Sequence, residues 1–388
     1  MNLVIRRIRL EKCLWLRSPN MEQQGAFRPI VRALDQQGWK VLRLENYRDP
    51  ANLELIKQRL RKTDDHVLIY GLLGAELHAL QPLFAERGNF SMVFIDWWNN
   101  PAWYNRHAAY LFIPMYNGIA CRLGQAEFTP GASPEWLTMP ERLVPYQVAC
   151  TLLRLPLMAA APVLEIIKAR QRAQEPTDPR RLIFFPFPID EEDVPLRPAE
   201  LKYDLTNMGS TVGTWILRDA FAPAKWNFAN LYRDRQRIID LALKFENHPF
   251  TVRDRRRQYS FLPWDEMCQI IRESRLAVCT GGLHEASISK YLEYACLGTP
   301  MIGKGLPYEY PWLDDLLVPI DGLRIKPEAF KASLQEALSL APKLRENCLR
   351  KRDYLLKLYN IHEILAMTQE QIDGQPIRPG YLKAPAPF

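Results

Sequence analysis

Short apolar runs alternate with segments of helical periodicity along the first half of the chain. The runs that predict β-strands are residues 12–17, 40–44, 66–70, 90–95, 109–114 and 181–187. Between them, residues 25–38 repeat their apolar side chains at the spacing of one helix face, and residues 53–61 and 75–87 also predict helices. Strands that alternate with helices predict an α/β domain built on a parallel sheet.

The same alternation restarts beyond residues 189–202, a polar and proline-rich stretch that predicts an interdomain linker. Strands are then predicted at residues 203–208, 249–252, 276–280 and 300–303, and helices at 231–245, 264–275, 286–297, 330–340 and 343–366. We therefore predict two Rossmann-like domains, of residues 1–188 and 203–355, that face each other across a cleft. Residues 356–388 are predicted to contain the end of the last helix, followed by a tail. Open parallel sheets bind ligands outside the carboxyl ends of their strands, so we expect the site in that cleft.

Composition narrows the class of protein. The chain has 388 residues, of which 47% are hydrophobic and 24% charged, as in ordinary globular proteins. Its seven cysteines include no CxxC pair, which argues against a zinc knuckle or a redox motif and favours reduced thiols in the cytoplasm. We predict neither a signal peptide nor a transmembrane span. The net charge of +7 favours a polyanionic partner, although a mildly basic surface explains it equally well.

Residues 282–303 carry the most informative pattern of the chain. Glu285 and Glu293 are separated by seven residues, and Gly298-Thr299-Pro300 is expected to end the helix and lead into a strand. The first turn of that helix, near Ser287, offers unpaired N–H groups and a positive dipole end to a diphosphate. Lys290 adds a cation one turn later, and Glu293 could accept hydrogen bonds from ribose hydroxyls. Two solvated acids on a helix are the alternative interpretation.

Together with residues 262–280, this segment resembles the EX7E segment of GT-B fold glycosyltransferases, of the group-one type and its spore-coat glycosyltransferase-like branch. The resemblance covers residues 181–370. It implies that the helix within residues 356–388 crosses back to the first domain and is followed by a tail. It implies a hexosyltransferase-type enzyme that takes a nucleotide-sugar donor as co-substrate, with a retaining outcome and with neither a metal nor another cofactor. Glu285 is then a catalytic candidate, and Glu293 meets the ribose of the donor.

The resemblance implies further donor-binding residues. Gly209 and Ser210 follow the predicted strand 203–208 and would let the backbone approach a phosphate, although a plain βα turn is the alternative. Arg253 is a candidate for the diphosphate, and His284 for a contact with the donor. The chain departs from the family where Ala286-Ser287-Ile288-Ser289 replaces the usual glycine-rich residues, which puts the identity of the donor sugar in doubt.

Asp96 is a candidate general base on the acceptor side. It ends the predicted strand 90–95, and the carboxyl ends of such strands face the expected cleft. The alternative is a carboxylate that caps the following turn. His107 is a second catalytic candidate. No DxD triplet lies beside a strand end, so we expect no metal site.

The acceptor is not identified by the sequence. Residues 143–172 are apolar and flanked by arginine, which fits either a buried helix or peripheral contact with an anionic membrane. The expected location is therefore the cytoplasm, and the alternative is peripheral association with the inner face of the membrane. A competing hypothesis is a non-catalytic protein of the same fold that binds nucleotide sugars or nucleic acid, and of these nucleic acid is the less expected partner.

Overall fold

The structure is a computed structural model of the chain. It describes residues 8–17, 27–46, 49–70, 74–93, 107–113, 181–209, 233–246, 250–254, 262–280, 289–304, 310–320 and 325–381. The chain divides into two compact units. The first comprises Met1–Pro134, Ile167–Asp190 and Tyr359–Arg378, and the second comprises Glu135–Ile166, Glu191–Leu358 and Pro379–Phe388.

The first unit is built on a six-stranded sheet whose strand pairs are all parallel. Its strands are β1 (Leu14–Arg17), β2 (Val41–Arg43), β3 (Val67–Tyr70), β4 (Phe90–Val93), β5 (Leu111–Ile113) and β6 (Leu182–Phe184), in the order β2-β1-β3-β4-β5-β6. The helices between them are α1 (Arg28–Gln36), α2 (Pro50–Lys62) and α3 (Gly74–Arg87). These elements confirm the predicted α/β class.

Local sequence explains how these helices begin and what they bury. The helix α2 starts at Pro50, where a missing N–H costs nothing, and the Asp49 carboxylate caps it by accepting a hydrogen bond from the Ala51 N–H. Apolar side chains of α2 and α3 then pack against the sheet, where Ile69 and Phe84 lie in one buried cluster. Burial of this apolar surface stabilises the unit.

The second unit contains a five-stranded sheet, again with only parallel strand pairs. Its strands are β7 (Tyr203–Asn207), β8 (Val252–Asp254), β9 (Ser274–Thr280), β10 (Met301–Lys304) and β11 (Leu317–Pro319), in the order β11-β10-β9-β7-β8. Its helices are α4 (Arg233–Lys244), α5 (Trp264–Arg272), α6 (Ser289–Cys296) and α7 (Pro327–Leu358). From β7 the chain passes to β8 on one side and then to β9 on the other, so the strand order reverses between β7 and β9.

The sequence predicts that one helix ends at residue 340 and another begins at residue 343, and this predicted break is wrong. The helix α7 runs through Pro342 and ends at Leu358. Pro342 is exposed, so water can bond to the carbonyl group that its missing N–H leaves free. The helix ends instead before Asn360. The Asn360 side chain accepts a hydrogen bond from the His362 N–H at 2.9 Å and so caps the next helix.

That next helix, α8 (Ile361–Ile372), belongs to the first unit. Two glutamines attach it there through main-chain atoms. The Gln371 amide accepts a hydrogen bond from the Phe184 N–H at 2.9 Å and donates one to the Phe184 carbonyl at 2.8 Å. Gln369 likewise accepts from the Leu10 N–H at 3.1 Å and donates to the Ile8 carbonyl at 3.0 Å. The edge strand β6 therefore has a side-chain partner along its outer side.

Candidate functional site

The reversal of strand order in the second unit marks the place where an open parallel sheet binds its ligand. At this point β7 ends in Asn207, which is fully buried. Its side-chain oxygen accepts a hydrogen bond from the Gly209 N–H at 3.2 Å, and its amide nitrogen donates to the Gly209 carbonyl at 3.2 Å. The same nitrogen donates to the Asp254 carboxylate at the end of β8 at 3.1 Å. Asn207 therefore fixes the turn by which the chain leaves β7.

The guanidinium of Arg235 packs directly on Gly209. Arg235 lies on α4 and is only 4% exposed. A Cβ atom on Gly209 would lie 2.6 Å from Nη1 and 2.9 Å from Cζ of Arg235. Only glycine leaves room for this cation, which places a buried positive charge beside the carboxyl end of β7.

Lys290 and Glu293 lie one turn apart on α6. The Lys290 ammonium is 2.5 Å from the nearer Glu293 carboxylate oxygen, and Glu293 is only 4% exposed. The ammonium also lies 3.7 Å from the Met267 sulfur and 5.2 Å from the ring centroid of Trp264, both on α5. The two charged side chains thus form an ion pair against one face of α5.

The pKa of the Cys279 thiol, near the carboxyl end of β9, is influenced by the charges of Arg235, Lys290 and Glu293. Burial has the largest effect and raises the pKa of the Cys279 thiol. The charges of Arg235 and Lys290 lower that pKa, and the charge of Glu293 raises it. Gly209 and Arg235 lie at the carboxyl end of β7, and the pair of Lys290 and Glu293 lies on α6, the helix that follows β9 along the chain.

The other predicted site residues fall into two groups. Asp96, Ser210, His284, Glu285 and Ser287 lie outside the described residues. Arg253 lies on β8 and is half-buried, with its backbone carbonyl accepting a hydrogen bond from the Thr206 hydroxyl at 3.3 Å. His107 lies before β5, beside the amino ends of the strands, since the Ala109 N–H bonds to the carbonyl of the first residue of β4 at 2.7 Å. That edge is opposite to the one where parallel sheets bind ligands, and the catalytic role of His107 stays a prediction.

Asn207, Arg235 and Trp264 are not among the site residues predicted from the sequence. A signal for Arg235 was present, because residue 235 shares one helix face with Ile238, Ile239 and Ala242, which are all buried. An arginine on an apolar stripe is a candidate for a buried functional cation. Asn207 bonds to the nearby Gly209 but also to the distant Asp254, and Trp264 contacts Asp193 and Lys290, which are both distant in sequence. No local pattern indicates these distant contacts.

Several basic residues of the segment 343–351 bond within the chain. Arg345 donates hydrogen bonds to the carbonyls of Ser274 at 3.2 Å and Arg272 at 3.0 Å, and Lys351 pairs with Asp315. These contacts hold α7 on the second unit and do not favour a surface for a polyanion.

Within the described parts of the chain, no helix is long and apolar enough to cross a membrane. The same residues contain no group of three or more His, Cys, Asp or Glu side chains that could hold a metal ion.

Comparison with solved structures identifies the fold. Anabaena Alr3699/HepE in complex with UDP and glucose is similar to the chain, with a TM-score of 0.50 and 10% identity over 94% of this chain and 100% of HepE. The glycotransferase of kitacinnamycin gives a TM-score of 0.41 at 12% identity, covering 94% of this chain and 100% of its own. MurG of Acinetobacter baumannii gives 0.39 at 11% identity, covering 92% of this chain and 99% of its own. No profile of a known protein family matches the sequence, and no curated protein sequence matches it significantly. The likeness to HepE shows the GT-B fold of two Rossmann-like units, which confirms the predicted fold class.

Proposed function

We propose that the chain is a glycosyltransferase that binds a nucleoside diphosphate sugar at the carboxyl ends of β7 and β9 and transfers the sugar to an acceptor. The observation that carries this proposal is the guanidinium of Arg235, buried against Gly209 where the strand order reverses. A buried cation at the ligand-binding edge of a parallel sheet suits a diphosphate. The GT-B fold supports the same conclusion, although a fold alone does not fix an activity.

Positive charge at this place has a chemical purpose. When the sugar leaves its donor, negative charge develops on the departing nucleoside diphosphate, and fixed cations stabilise that charge. We assign this role to the side chains of Arg235 and Lys290. With these groups supplying the positive charge, we propose that transfer needs no metal ion.

We assign Glu293 to the ribose hydroxyls of the donor. One of its carboxylate oxygens lies 2.5 Å from the Lys290 ammonium, and carboxylate oxygens accept several hydrogen bonds each, so Glu293 can also accept from hydroxyl groups. The EX7E pattern of Glu285 and Glu293 supports a retaining outcome, in which the anomeric configuration of the sugar is kept. HepE was solved with UDP and glucose, so UDP-glucose is the first donor that we would test.

A hydrolysis screen over a panel of nucleotide sugars tests the activity without knowledge of the acceptor. We expect one nucleotide sugar to be hydrolysed slowly and its nucleoside diphosphate to bind in calorimetry. Arg235→Gln should weaken that binding about tenfold to a hundredfold, because a charge-assisted contact with phosphate is lost. The matched control is Arg237→Gln, which removes an exposed cation from the same helix. If the panel contained neither a substrate nor a bound nucleotide, or if Arg235→Gln bound as tightly as the control, the proposal would be wrong.

A further inference from the structure

The segment by which the chain enters the second unit is held by side chains of that unit. Three successive carbonyl groups, those of Asp193, Val194 and Pro195, accept hydrogen bonds from the indole N–H of Trp264 at 2.5 Å, from Arg352 at 3.1 Å and from Arg272 at 2.6 Å, respectively. Asp193 and Val194 are buried. The Asp193 carbonyl is therefore a fixed point, and the hydrogen bond to it fixes the orientation of the Trp264 indole.

The Trp264 ring contacts Lys290, one of the residues of the proposed donor site. Its face lies under the Lys290 ammonium, 5.2 Å from the ring centroid, which is within the range of a cation–π interaction. A lysine side chain loses rotamer freedom when it is held in one place, and a rigid aromatic face offsets part of that cost. The Trp264 ring carries no net charge, so it holds the ammonium without neutralising it as a second carboxylate would.

We propose that Trp264 is a positioning residue for donor binding. Anchored through its N–H to Asp193, it holds the Lys290 ammonium beside Glu293 in the place where the diphosphate binds. This inference rests on the proposed function, since it assigns to Trp264 the orientation of a residue of that site. Trp264 itself touches neither the donor nor the acceptor in this proposal.

A double-mutant cycle tests the inference, with the affinity for UDP or the nucleoside diphosphate found in the screen as its readout. Trp264→Leu should weaken binding about fivefold, because the aromatic face is lost. Lys290→Met should weaken it about tenfold, because a charge-assisted contact is lost. The double variant should bind only as weakly as Lys290→Met, since without the ammonium the ring has nothing to position.

A merely structural role for Trp264 predicts a different result. In that case the two losses multiply to about fiftyfold in the double variant, and the inference is overturned while the proposed function stands. If the wild-type chain binds no nucleoside diphosphate, both proposals fall.

Two further variants keep the test sound. Trp264→Phe keeps an aromatic face and loses the N–H, so it should fold where Trp264→Leu fails to fold and should bind less tightly than wild type. Trp312→Leu removes another tryptophan of the same unit, whose ring stacks on Tyr310 at 5.3 Å. We expect it to lower the thermal midpoint and to leave the affinity for the nucleotide within about twofold of wild type. A loss in Trp312→Leu equal to that in Trp264→Phe would attribute the effect to general destabilisation and overturn the inference.

Discussion

The contact between Gly209 and Arg235 can be broken from the glycine side. Gly209→Ala adds one methyl group where the nearest atoms are those of the Arg235 side chain, at 2.6, 2.9 and 3.2 Å from the new Cβ. The φ angle of Gly209 lies outside the left-handed region, so alanine fits the backbone. The substitution is therefore expected to displace a flexible side chain and to leave the fold intact.

The size of the effect follows from these distances. Carbon atoms in ordinary contact lie about 3.5–4.0 Å from their neighbours, so the guanidinium must move by about 1 Å. A charge-assisted hydrogen bond to phosphate is about 2.7–2.9 Å long. If the guanidinium moves about 1 Å away from the phosphate, that hydrogen bond is broken. Hydrogen bonds to charged groups contribute about 1.5–3 kcal/mol, which corresponds to a loss of affinity of roughly tenfold to a hundredfold.

Calorimetric titration with UDP, or with whichever nucleoside diphosphate binds, measures this loss at a fixed salt concentration. The thermal midpoint of Gly209→Ala should stay within a few degrees of wild type, which separates displacement of the cation from unfolding. In an Arg235→Gln background, Gly209→Ala should cost little more, because the group that it displaces is already gone.

Two results would refute this reasoning. If Gly209→Ala bound the nucleotide as wild type does while Arg235→Gln did not, the guanidinium would accommodate the methyl group without losing its phosphate contact. If both variants bound normally, Arg235 would lie outside the donor site.

Three further predictions concern stability. Gly303→Ala would place a Cβ atom 2.0 Å from the Cys279 carbonyl oxygen at a φ of 153°, so we expect a loss of about 3 kcal/mol or more, seen as a lower thermal midpoint; a change below 1 kcal/mol would contradict this. Gln371→Ala removes both side-chain hydrogen bonds to Phe184 and should cost about 2 kcal/mol in urea denaturation, whereas an unchanged midpoint would mean that water replaces the amide. Burial lowers the pKa of His66 from 6.5 to about 4, so the unfolded chain binds this proton more readily, and the stabilisation present above pH 6.5 is lost as the pH falls towards 4. Between pH 7 and pH 5 the wild type should therefore lose about 2 kcal/mol more than His66→Gln, and parallel losses would contradict the assignment.

Most elements could be predicted because their signals are local. An apolar run such as that of β3 needs two covered faces, and a parallel sheet supplies them. The strand β11 was not predicted, since it is short and ends in Pro319, a residue type that argues against a strand. The break at Pro342 was predicted wrongly because the cost of an internal proline depends on whether the freed carbonyl meets water, and that depends on which face of α7 is packed.

The site could be predicted only in part, for a related reason. Lys290 and Glu293 lie on one short helix, so their proximity follows from a spacing of three residues. Arg235 reaches Gly209 from another helix, and Trp264 reaches Lys290 from a third. Such contacts are set by the packing of helices on a sheet, which no single stretch of sequence records.

The pairing of Lys290 with Glu293 also governs how substitutions at either residue should be interpreted. Because Glu293 is buried, removal of Lys290 alone leaves a carboxylate without its counter-charge, and a buried unpaired charge is strongly destabilising. A weaker affinity in Lys290→Met therefore combines a lost phosphate contact with a disturbed helix α6. The double variant Lys290→Met/Glu293→Gln removes both charges and the imbalance with them. If it recovers the thermal midpoint of wild type and still binds the nucleotide weakly, the remaining loss belongs to contacts with the ligand; if affinity returns together with the midpoint, neither residue contacts the donor.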